Sequence, residues 1–103
     1  MKLKPGVSVA GFRPEMLIAL MAAQEVYREL GQPLVVTSAV DGRHSITSLH
    51  YAGCAVDLRT RDLGENTAKT ARDMIALALP EDYDCILEKD HIHLEWQPRR
   101  RSA

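Results

Sequence analysis

The sequence predicts an α+β fold: a small, mainly antiparallel sheet with two helices packed on one side of it. Three observations carry this. Apolar residues recur at helical spacing in two separate stretches, short β-branched or alternating runs flank them, and 103 residues suffice to bury one modest core and no second one. The chain, 1–103, therefore reads as a single domain with its core over about 14–96 and a basic tail at 97–103. No internal repeat, low-complexity segment or linker divides it.

The expected order is helix, strand, loop, strand, helix, then two strands. Pro14 at a first turn, Glu15 near the positive helix end and Gly31 after Leu30 bracket a first helix from Pro14 to Leu30. Leu17, Leu20 and Met21, followed by Gln24 and Tyr27 or Arg28, are expected to mark its faces, apolar side inward. Leu34-Val35-Val36-Thr37 reads as a strand. Gly53 permits a turn or a close backbone approach, after which a second strand starts near Cys54. The polar stretch from Arg59 to Asn66 is a connection; Asn66 or Thr67 caps a second helix running to about Leu79, and Pro80 stops it. Ala71, Met74, Ile75 and Ala78 give that helix its core face. Tyr83 to Glu88 and His91 to Trp96 form a hairpin with Lys89-Asp90 at its turn.

Composition narrows the function. A formal net charge of −1 argues against a strongly electrostatic nucleic-acid binder, and Arg99-Arg100-Arg101 lies in a terminal segment expected to be a solvated tail. The two cysteines, Cys54 and Cys85, make no disulfide framework and both fit buried strand positions. Pro5-Gly6 and the polar residues after it interrupt any signal-peptide core, so a cytoplasmic start is expected. The apolar run Met16 to Ala23 is too short to span a bilayer, so no membrane insertion is expected.

The chemistry concentrates in Ser48-Leu49-His50-Tyr51-Ala52-Gly53-Cys54-Ala55-Val56-Asp57, which reads S-x-H-x-x-G-x-A-x-D, and in His91-Ile92-His93. Two imidazoles and a carboxylate are a common three-ligand set for one catalytic Zn2+, leaving a fourth position for water. Strand parity puts Ala55 and Asp57 on one face with Cys54, Val56 and Leu58 on the other; His91 and His93 likewise share a face. Two neighbouring strands could thus deliver the ligands.

These two motifs, in this order with a helix between them, resemble the M15 zinc peptidases, the D-Ala-D-Ala carboxypeptidase and phage L-alanyl-D-glutamate endopeptidase group. The resemblance covers roughly Leu34 to Trp96. It implies a hedgehog/DD-peptidase-like fold and zinc ligands at His50, Asp57 and His93. It also implies a catalytic base at Asp90, three residues before the last ligand, with Glu88 in reserve, and an oxyanion-stabilising Arg43. Ser48 matches the motif and is expected to fix the His50 loop by a hydrogen bond. His91 is expected to bind substrate or orient a ligand, and His44 to face solvent only. Residues three apart face opposite ways on a regular strand, so Asp90 needs a bend or bulge before His91.

The implied function is zinc-dependent hydrolysis of an amide bond in peptidoglycan stem peptides. The protein would be a phage or prophage endolysin that a partner such as a holin releases to the cell wall. The competing class is a noncatalytic, metal-stabilised phage structural or wall-binding module; a third reading has the histidines packed with no metal.

Overall fold

The computed structural model describes residues 1–39 and 53–97. Its elements are β1 (Lys2–Leu3), α1 (Pro14–Glu29), β2 (Val35–Ser38), β3 (Ala55–Arg59), α2 (Glu65–Ala78), β4 (Tyr83–Leu87) and β5 (His91–Trp96). The strands form one sheet in the order β1-β2-β3-β5-β4. β1 runs parallel to β2 and the other pairs are antiparallel, so the fold is α+β with a mixed, mostly antiparallel sheet.

β1 is an addition to the sequence reading. Its two residues are exposed, and main-chain bonds fix the segment along residues 34–36, Lys2 N to Leu34 O at 2.8 Å and, just past the strand, Lys4 N to Val36 O at 2.9 Å. No apolar pattern accompanies such pairing, so nothing in residue type announced it.

α1 begins at Pro14, whose missing N–H costs nothing at a first turn, with Glu15 near the positive helix end and Arg28 near the negative one. The buried residues are Met16, Ala19, Leu20, Ala23, Val26 and Tyr27. The expected face is therefore corrected: Leu20 and Tyr27 point inward as read, whereas Leu17 and Met21 lie outside with Ile18. Residues 16–23 are apolar all round the helix, so spacing could not phase them, and contact with the sheet decides.

α2 starts at Glu65 after an N-cap at Gly64, earlier than the Asn66 or Thr67 cap expected; no side chain caps it. It turns Ala68, Ala71 and Ile75 into the core, with Met74 half-buried and Ala78 exposed, another correction. Both helices pack on the sheet face built from Val36, Val56, Leu58, Ile92 and Leu94. Cross-links fix the layers: the Tyr27 hydroxyl donates to Arg59 O at 2.8 Å, and Arg72 Nε donates to Cys85 O at 2.9 Å. Cys85 is buried as expected, but Cys54 precedes β3 and is only half-buried. No helix among the described residues is long and apolar enough to cross a membrane.

Candidate metal centre

The placement of the predicted ligands Asp57 and His93 follows from register. β3 and β5 pair so that Asp57 lies opposite His93, Arg59 opposite His91 and Ala55 opposite Glu95, while Val56 faces Leu94 and Leu58 faces Ile92. Alternation sends the second set to the helices and leaves Asp57, Arg59, His91, His93 and Glu95 together on the other face. Ala55 is fully buried and brings only a methyl group beside Asp57.

Gly53 sets the entry to β3. Its φ is +72°, and a Cβ there would overlap the Gly11 carbonyl oxygen. Its own carbonyl accepts from Arg13 N at 3.0 Å. Both features expected of this glycine, a turn and a close backbone approach, are present, and together they lock the segment before α1 onto the start of β3.

At the centre, His93 Nδ1 lies 2.9 Å from Asp57 Oδ1 and His93 Nε2 lies 2.9 Å from Glu95 Oε1. The three side chains are 20%, 17% and 13% exposed, sheltered enough to strengthen charge interactions without being sealed from solvent. The bond to Asp57 raises the His93 pKa above the ordinary imidazole value; burial opposes this and the bond to Glu95 adds to it. His91 shares the face, with Nε2 3.7 Å from Asp57 Oδ1 and Nδ1 2.7 Å from Asp90 Oδ1.

Asp90 occupies the short bend between β4 and β5, outside regular strand geometry. Its side chain is 84% exposed, and its bond to His91 holds the carboxyl below the usual carboxylate range. It thus joins the cluster through His91. Glu88 closes the same turn, its amide donating to His91 O at 2.8 Å. Its side chain is exposed and lines a cavity of about 690 Å³ with the start of α2, apart from His91. A second cavity, about 360 Å³, contains His91 and Asp90 together with Lys4, Thr37, Arg59 and Arg61.

Of the predicted ligands, Asp57 and His93 are brought together, while His50 lies outside the described residues, as do Arg43, His44 and Ser48. Among the described residues no set of three His, Cys, Asp or Glu side chains is arranged to hold a metal. The pair present does fit one. A carboxylate oxygen and an imidazole nitrogen 2.9 Å apart come near the roughly 3.3 Å between neighbouring ligand atoms of tetrahedral zinc with bonds of about 2.0–2.1 Å. Glu95 then stands where an outer carboxylate accepts from the other ring nitrogen and fixes which one meets the metal. Sequence reasoning missed Glu95, although its parity with His91 and His93 was the signal. Trp96, with its indole N–H on Asp82 at 3.0 Å and Arg13 stacked 5.8 Å from its ring centroid, packs at the edge of the core.

No known protein-family model matches this chain, and no curated protein matches it.

Proposed function

We propose that the chain is a zinc-dependent peptidase of the M15 type that hydrolyses an amide bond in peptidoglycan stem peptides. The observation that carries this reading is the direct cross-strand pairing of Asp57 with His93, oxygen to nitrogen at 2.9 Å, on the sheet face turned away from the helices. The metal would be held by these two residues and His50. When bound, zinc supplies Lewis acidity toward a water molecule and toward the scissile carbonyl.

The chain's own residues do the rest. Glu95 holds the His93 ring in the orientation that leaves Nδ1 toward Asp57. Asp90 is the base that takes the proton of the attacking water and returns it to the leaving amine, with Glu88 in reserve. The 2.7 Å contact between Asp90 and His91 makes them a hydrogen-bonded pair, and His91 Nε2 lies 3.7 Å from Asp57 Oδ1, so the imidazole links the exposed carboxylate to the centre. Arg43 stabilises the developing oxyanion.

The test is mass spectrometry of stem peptides incubated with zinc-loaded protein, chelator-treated protein and Asp90→Asn. The expected result is fragments with zinc-loaded wild type only, their masses naming the bond. Verified zinc with no fragments would sink the peptidase and leave a metal-stabilised module; fragments with Asp90→Asn would move the base to Glu88.

A further inference from the structure

The Asp57–His93 pair is flanked along the strands by a cavity that the proposed base Asp90 and its partner His91 share with three cations, Lys4, Arg59 and Arg61, to which the proposed chemistry gives no part. Arg59 is two residues beyond Asp57 on the same face, about 7 Å along β3, and lies opposite His91. Around it the cavity of about 360 Å³ gathers Lys4 and Arg61 as well, against a single carboxylate, Asp90, which is already bonded to His91. Elsewhere the described arginines find acids: Arg13 approaches Glu15, Arg28 binds Glu25 and Arg72 binds Asp73. Among the described residues Lys4, Arg59 and Arg61 form no ion pair. Three like charges around one hollow repel one another, and an anion bound there would relieve that repulsion.

The three cations come from parts of the fold that are held in place. Lys4 is carried by the β1–β2 pairing through its own amide, and Arg59 ends a central strand whose carbonyl is fixed by Tyr27. Arg61 follows in the turn after β3. Two guanidinium groups can grip the two oxygens of a carboxylate side by side, and the Lys4 ammonium and Thr37 hydroxyl offer further donors. The spacing limits where that carboxylate belongs. An extended chain covers about 3.3–3.6 Å per residue, so an acid about 7 Å from the cutting point, less the reach of the arginines, sits within one or two residues of the scissile bond.

We infer that Lys4, Arg59 and Arg61 form a carboxylate-binding subsite that holds an acid group of the peptide, one or two residues from the bond positioned at Asp57 and His93. The identity of the ligand as a peptide rests on the reading under Proposed function. The consequence is a sharp selectivity: amidating that acid group, which removes the charge and keeps the shape, removes what the subsite binds.

The test is a binding titration that needs no turnover. A stem tripeptide, L-Ala-γ-D-Glu-L-Lys, and the same peptide with its acid groups converted to carboxamides are titrated into the full chain with chelator present, following backbone amide shifts of residues 57–61 by NMR. Arg59→Gln and Arg61→Gln are run beside wild type. The expected result is binding of the acid peptide at least about tenfold tighter than the carboxamide, with that ratio collapsing in both variants. Equal binding of the two peptides, selectivity that survives both substitutions, or no binding of the acid peptide each overturns the subsite. So does inorganic phosphate binding as tightly as the peptide, which would mark a general anion site. Zinc uptake and cleavage, measured separately, judge the peptidase: acid-selective binding by a protein that takes no zinc would keep the subsite and sink the enzyme.

Discussion

The two faces of β3 and β5 are written by the same eleven residues and do opposite work. On one, Val56, Leu58, Ile92 and Leu94 are wholly removed from solvent beneath both helices. On the other, Asp57, His91, His93 and Glu95 each lie within hydrogen-bond or ion-pair reach of a neighbour in the set and stay partly exposed. The apolar face is satisfied by area, which any well-shaped neighbour provides, whereas the polar face is satisfied only by particular atoms at particular distances. Stability should therefore reside on the first face and ligand binding on the second.

The largest test of that division is on the apolar side. Leu58→Ala should cost about 2–5 kcal/mol in urea unfolding, through lost burial and the cavity left beneath α1 and α2. The fraction that remains folded should bind zinc as wild type does. His93→Ala should give the reverse profile. Its zinc affinity, read by competition with a chromogenic chelator, should fall by more than the roughly 10–100-fold typical of losing an outer partner, while its unfolding midpoint moves less than that of Leu58→Ala. A large loss of stability in His93→Ala with zinc affinity intact would erase the distinction between the faces.

Glu95→Gln sharpens the comparison within the polar face. The amide keeps the shape and can still accept from His93 Nε2, but it lacks the charge, so zinc affinity should fall by about 10–100-fold and recover toward wild type in Glu95→Asp only if the shorter side chain still reaches the ring. The nitrogen-15 shifts of His93 supply a reading independent of activity. In wild type Nε2 should carry the proton in the zinc-bound form. An unchanged affinity and tautomer in Glu95→Gln would make Glu95 a bystander.

How much of this was legible follows from the same alternation. Asp57 and His93 could be placed on one face from parity alone, because a period of two admits no phase error once a strand is identified. The α1 face could not, since Met16 to Ala23 offers apolar side chains in every direction and only the sheet selects Met16, Ala19, Leu20 and Ala23. β1 was invisible because its contribution is main-chain hydrogen bonding at exposed residues, and with it went the reason Lys4 reaches the cavity beside His91. Arg59 was read as the start of a polar connection. As the last residue of β3 it instead shares a face with Asp57 and His93, and that single residue of strand length converts a loop cation into part of a candidate binding site.

The smallest expected effect lies on the apolar side of the sheet, where the Cys85 thiol is buried in the core. Cys85 is opposite Leu94 on β4, its thiol directed toward Arg72 O at 3.7 Å, and burial pushes its pKa up to about 11, with Arg72 pulling the other way. A folded pKa above the unfolded one means the fold favours the neutral thiol. The stabilisation is complete below the unfolded value near 9 and is lost as pH rises through the interval to about 11. By pH 10 the loss should be about 1 kcal/mol relative to pH 8, measured as the difference between wild type and Cys85→Ala across that range, so that other groups cancel. In the folded protein Cys85 should also react with a thiol reagent far more slowly than the half-buried Cys54. Equal rates would mean that the apolar face opens to solvent readily, and the separation of a sealed face from an open one would have to be given up.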